Sequence, residues 1–174
     1  NEARRLNENA AKRTLEGNYG PELGKTLSRP LGKGILGDST FCHILSATSG
    51  ACDARMAGAD IPVMSNSGSG NQGIAATMPV VVFAEENHNT REELTRALIL
   101  SHLTAIYIKK SLGRLSALCG CVVASTGSSC GITYLMGGNY EQIAYAVNIL
   151  VAALAGMVCD GAKPCRALNV SSGV

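Results

Sequence analysis

Residues 65 to 73 bring together groups that bind small anions. The stretch reads SNSGSGNQG, from Ser65 to Gly73. Gly68, Gly70 and Gly73 let the backbone take positive φ and turn N–H groups outward. The hydroxyls of Ser65, Ser67 and Ser69 and the amides of Asn66, Asn71 and Gln72 add donors and acceptors. A helix starting after Gly73 would place partial positive charge beside them. Phosphate or carboxylate is the expected ligand. The string is not a P-loop, because no Gly-Lys-Ser/Thr follows, and it is not a dinucleotide fingerprint. A plain surface loop has the same composition, so the residues alone leave both readings open.

The thiols are the second source of chemistry. There are seven cysteines, an odd number that internal disulfides cannot use up. Cys119 and Cys121 lie in the apolar run LCGCVV and read as core. Cys130 lies in TGSSCGI, which reads as a small polar turn, and Cys159 and Cys165 bracket another break, CDGAKPC. Thiolates at glycine-rich turns can converge on an iron–sulfur cluster. No pair has the C-x₂₋₄-C spacing usual for structural zinc. The histidines, His43, His88 and His102, read as structural or solvated. Asp53 and Arg55, in ACDAR, read as a local ion pair. Asp160 and Lys163 stand close to Cys159 in sequence, although a lysine after a helix end also serves its terminal carbonyls.

The elements that would position these groups are mostly helical. Residues 1 to 17 read as a polar helix and 18 to 35, with prolines and glycines, as loop. Ser39 to Ala57 suggests a close-packed helix. Gly73 to Glu86 is ambiguous, since PVVVFA has the β-branched residues of a strand. Asn89 and Thr90 cap a helix that runs to Lys110, with acids in its first turn and lysines in its last. Asn139 caps a last long helix to Val158. Small residues recur from Ala117 to Gly156, so these helices approach closely. The expected fold is mainly α: a compact bundle of buried, small-residue-rich helices with a Gly-rich ligand loop. The 174 residues suit one domain spanning the chain.

Composition narrows the function further. Charged residues are 16% and hydrophobic residues 46%, which excludes a disordered tail. A net charge of +2 and 4% aromatics without Trp give no nucleic-acid footprint. The most apolar run, Ile143 to Val158, is too short to span a bilayer, so no membrane partner is expected. The polar start carries no secretory signal, and the expected setting is the reducing cytoplasm. A homodimer is left open.

Taken together, ACDARM (Ala51 to Met56), PVMSNSGSGNQGI (Pro62 to Ile74), SHLTAIYIK (Ser101 to Lys109), GRLSALCGCVVASTGSSCGI (Gly113 to Ile132) and GMVCDGAK (Gly156 to Lys163) resemble the serine dehydratase α-chain-like family. That group includes the L-cysteine desulfidases and the UPF0597 proteins. The resemblance implies a [4Fe-4S] cluster held by three cysteines and β-elimination on a small L-amino acid without pyridoxal phosphate. L-cysteine would be preferred over L-serine, giving pyruvate, ammonia and sulfide. It also implies substrate binding by Ser65 to Gln72, and Cys130 and Cys159 as cluster ligands; Cys165 is the candidate third ligand, and Asp160 and Lys163 are candidate bases only by their closeness to Cys159. Two departures stand out. Arg166 occupies the place expected for the third cysteine, with Cys165 one position earlier, and the Gly-Cys-Thr-Glu-Pro motif of longer family chains is absent. The chain is therefore expected to be part of a longer carbon–sulfur or carbon–oxygen lyase and inactive alone. The competing expectation is a clusterless small-anion or amino-acid binding protein of the same fold.

Overall fold

In the computed structural model, which describes residues 2–113, 119–154 and 166–174, several helices open where capping side chains stand. Ser39 accepts from the Cys42 N–H and opens α4, Thr40–Met56. Thr90 and Glu93 form a reciprocal capping box that opens α6, Arg91–Leu112. Asn139 and Gln142 exchange the same pair of bonds, at 2.9 and 3.0 Å, before α8, Tyr140–Leu154. The remaining helices are α1 (Glu2–Glu16), α2 (Leu23–Ser28), α3 (Pro30–Leu36), α5 (Gly70–Glu86), α7 (Gly120–Leu135) and α9 (Arg166–Gly173). The described residues contain no strand, so the fold is mainly α. None of the described helices is both long and apolar enough to cross a membrane.

Helix α5 is the centre. It packs on α1, α4, α6 and α7, and every residue from Gly70 to Val81 is buried. A helix enclosed on all sides needs no polar face, which explains an apolar pattern that sequence alone leaves between helix and strand. PVVVFA is helical, with Pro79 inside α5. Tertiary packing overrides the β preference of its valines.

Small residues set the spacing around α5. A Cβ at Gly127 would stand 2.3 Å from the Ser101 carbonyl oxygen, and one at Gly131 would stand 3.0 Å from that of Ala97. The backbone of α7 therefore lies directly on α6. That contact carries the helix through TGSSCGI, where a turn was expected: Cys130 sits inside α7 and is fully buried. Residues 18 to 35 also depart from expectation. They form α2 and α3, with Pro30 at the first position of α3, where its missing N–H has no helical partner to lose. At the far end of α5, His43 bridges Glu86 and Asp38, at 2.5 and 2.6 Å, tying α4 to α5 and to the α3–α4 link.

Gly127→Ala overpacks the α6–α7 contact and is expected to cost about 1–3 kcal/mol. Each kcal/mol lowers Tm by roughly 2–4 °C in a domain of this size. Gly34→Ala, whose Cβ meets nothing within 4 Å, serves as the control and leaves Tm unchanged or raised.

Candidate functional site

The Gly-rich segment turns sharply before it becomes helix. Ser67 and Gly68 take positive φ, and Asn66 and Ser69 exchange backbone bonds of 3.0 Å across the turn. Helix α5 starts at Gly70, earlier than the expected start after Gly73, so Asn71, Gln72 and Gly73 form its first turn. Ser69 is the N-cap and accepts from the Gln72 N–H. The first N–H groups of the helix, those of Gly70 and Asn71, have no intrahelical acceptor. They carry the positive end of the helix dipole.

The sequence-predicted residues divide into two sets. Ser65, Ser67 and Gly68 are exposed at the rim and Ser69 is half-buried, whereas Asn66, Gly70, Asn71 and Gln72 are buried. The inward amides are structural as well as chemical. Asn66 donates to the His102 carbonyl at 3.2 Å and meets its Nδ1 at 3.0 Å. Asn71 accepts from Arg55 Nη1 at 2.9 Å and donates to Met56 Sδ at 3.2 Å. The Gln72 side chain lies against Gly120, where a Cβ would stand 2.4 Å from its amide nitrogen, and its buried Oε1 has no hydrogen-bond partner among the described residues. Gly73 has no room either: a Cβ there would sit 1.7 Å from the Met64 carbonyl oxygen. Asn7, on α1, closes the arrangement by donating to the Gly73 carbonyl and accepting from the Met64 N–H, at 3.2 and 2.9 Å.

Arg55 and Asp53 do not pair. Two residues apart on α4, their side chains leave the helix about 200° apart. Asp53 is fully buried and accepts from the Gly24 N–H at 2.9 Å, capping the start of α2, while its Oδ1 has no hydrogen-bond partner among the described residues. Burial pushes its carboxyl up to about 6, against the bonds from Gly24 and Leu23 that favour the anion. Arg55 instead lies over the start of α5, where a Cβ on Gly70 would meet its Nε at 2.3 Å. Its hydrogen-bond partners are Asn71 and Met56, and no carboxylate pairs with it among the described residues. A guanidinium without a counter-charge thus stands at the positive end of a helix. Sequence spacing misses this because it pairs Arg55 with its neighbour.

Cys119 and Cys121 flank Gly120, which lies against Gln72, whereas Cys130 lies apart from the turn. Cys130 is set against Thr104 on α6, and burial pushes its thiol up. The loop is held by His102, two residues earlier and about 200° round the same helix. Cys52, Cys119 and Cys121 cluster with Ala167 and Val170 of α9 near the start of α7, some 11 residues or ~16 Å along the helix from Cys130. Cys159, Asp160, Lys163 and Cys165 lie outside the described residues. Among the described residues, no group of three or more His, Cys, Asp or Glu side chains is arranged to hold a metal. Cys130 fits a soft metal in one respect, a dry setting. A thiol there would lose its proton only to a strong local cation.

The fold is thus a helical bundle in which a glycine-rich turn and an arginine with no carboxylate partner among the described residues meet at the start of one helix. The chain belongs to the serine dehydratase alpha chain family, whose model matches residues 1–174. It is similar to UPF0597 proteins of Phocaeicola vulgatus (72% identical over 99% of this chain), Bacteroides thetaiotaomicron (71% over 98%) and Porphyromonas gingivalis (57% over 99%). In each case the match covers 40% of the relative, so the chain spans about two-fifths of their length. No solved structure matches it.

Asp53 yields a pH test. The folded carboxyl keeps its proton up to about 6, whereas the unfolded one releases it near 3.8. The native state binds more protons in that window, so this group's contribution to stability falls as pH rises through it, by about 3 kcal/mol in all. The amide that replaces the carboxyl in the Asp53→Asn variant cannot titrate. Denaturant unfolding of wild type and D53N at pH 4 and pH 7 is expected to show the variant gaining relative stability as pH rises.

Proposed function

We propose that this chain carries the carboxylate seat of a lyase that performs β-elimination on a small L-amino acid. L-cysteine is favoured over L-serine, and the products are pyruvate, ammonia and sulfide. The observation that carries the reading is Arg55, held by Asn71 over the start of α5 with no carboxylate pairing it among the described residues. A carboxylate placed there would take charge-assisted bonds from the guanidinium and from the Gly70 and Asn71 N–H groups. The hydroxyls of Ser67 and Ser69 stand beside that seat. Gln72 Oε1, a buried acceptor without a partner among the described residues, would take an N–H of the substrate's amino group. Family membership supports the reaction class, and the preference for sulfur rests on the resemblance to desulfidases.

In the proposed reaction a base removes the α-proton, and the electron pair forms a Cα–Cβ double bond as the β-sulfur leaves with its own bonding pair. The aminoacrylate tautomerises and is hydrolysed to pyruvate and ammonia. Fixed donors at the carboxylate stabilise the charge that develops at Cα. Asp160 and Lys163 are the proposed bases. A [4Fe-4S] cluster held by Cys130, Cys159 and Cys165 would supply an open iron as a Lewis acid.

The second reading is a clusterless amino-acid or small-anion binding protein. It is favoured by one feature: Arg55, Ser69, Gly70 and Asn71 form the seat without calling on any thiol.

Natively expressed protein purified without oxygen is expected to carry about four irons per chain and to release sulfide and pyruvate from L-cysteine. Iron-free protein that still binds L-cysteine supports the second reading. Arg55→Gln removes a charge-assisted bond, so KM is expected to rise roughly 10- to 100-fold. Cys130→Ser is expected to lose iron while Cys119→Ser keeps it. The opposite result would move the ligand to the start of α7.

A further inference from the structure

His102 holds the loop through a chain of hydrogen bonds whose direction is fixed. The Asn66 amide nitrogen faces the His102 carbonyl at 3.2 Å, and a carbonyl can only accept. Ser67 donates to Asn66 Oδ1 at 2.8 Å, which agrees with that orientation. The same amide nitrogen stands 3.0 Å from His102 Nδ1, so Nδ1 must be the bare, accepting nitrogen. The neutral ring then carries its hydrogen on Nε2, 3.0 Å from Thr77 Oγ1. Thr77 accepts it and passes its own hydrogen to the Gly73 carbonyl at 2.7 Å. The run from Asn66 through His102 and Thr77 to Gly73 links the turn to the first turn of α5.

We propose that His102 is a positioning residue for the anion seat: its Nε2–H form fixes Asn66, and a second proton on the ring releases the turn. A proton on Nδ1 would face the N–H of the Asn66 amide, donor against donor. Among the described residues, no charged side chain offsets that cost. The ring meets Asn66 on the loop and Thr77 on α5, both neutral. Arg55, the cation on α4, is turned to Asn71, and Cys130 on α7 lies against Thr104 on another side of α6. Burial lowers the ring's affinity for a proton and holds the neutral form at physiological pH. The link between this device and catalysis rests on the carboxylate-seat reading above, whereas the ring's tautomer does not.

Two measurements test it. First, ¹⁵N-histidine labelling of the natively expressed protein, with His102 assigned by the signals lost in His102→Asn, is expected to show the Nε2–H tautomer. A Nδ1–H tautomer, or a ring charged at neutral pH, overturns the proposal. Second, KM for L-cysteine is expected to rise as pH falls in wild type. In His102→Asn, whose amide oxygen can replace Nδ1 as acceptor but cannot titrate, KM should stay within about threefold of wild type and lose that rise. In His102→Leu, KM should rise roughly tenfold with kcat little changed. Should the leucine variant fail to fold, the asparagine variant still decides, because an acid rise retained in it overturns the proposal. The expected tautomer in a protein without turnover supports the positioning role and counts against the lyase reading alone.

Discussion

At Gly127 the backbone of α7 meets the Ser101 carbonyl with no room for a Cβ, and this close approach sets the spacing of the helices around α5. With α6 and α7 so near, α5 is enclosed from Gly70 to Val81. Its polar first turn is therefore buried and must find partners inside the protein. Asn7, Arg55 and Met56 are those partners, and His102 holds Asn66 in the turn that precedes the helix. The proposed anion seat is thus a product of packing density: the contacts that exclude solvent from α5 also hold its first turn in place.

The seat concentrates positive potential by separating charges that sequence would pair. Asp53 spends its carboxylate on the start of α2, and Arg55 is left to the start of α5. A buried carboxylate raised to about 6 is a cost of that arrangement. Such a cost is common where polar groups serve a site as well as stability. Gln72 Oε1, buried with no partner among the described residues, is a second cost at the same place.

Much of the fold was legible in the sequence, because helix starts are written locally. Ser39, Thr90 and Asn139 cap helices by bonds to residues three positions on. The Gly-rich string also announced its own turn. What was not legible depends on distance along the chain. Nothing near Cys130 tells that its TGSSCGI setting lies on α6 and stays helical. PVVVFA stays between helix and strand until α4, α6 and α7 surround it. The partners that hold the site, Asn7 with Gly73 and Asn66 with His102, are 66 and 36 residues apart. His102 looked like an ordinary structural histidine, and only its neighbours show what it supports. Asp160, Lys163, Cys159 and Cys165 lie outside the described residues, so the chemical half of the site stays as the sequence suggested it.

The clamp formed by Asn7 has a consequence for how the molecule assembles. Its two bonds, to Gly73 and Met64, are closed by a residue from the first helix. Arg55 and His102 come from α4 and α6, so the seat needs three helices from distant parts of the chain. Bringing them together requires the closure of long loops, which is slow relative to local helix formation. Completion of the seat is therefore expected to lag the formation of its helices. A ligand that binds only the finished seat pulls that last docking step forward by mass action, so occupancy would be felt as far away as the docking of α1.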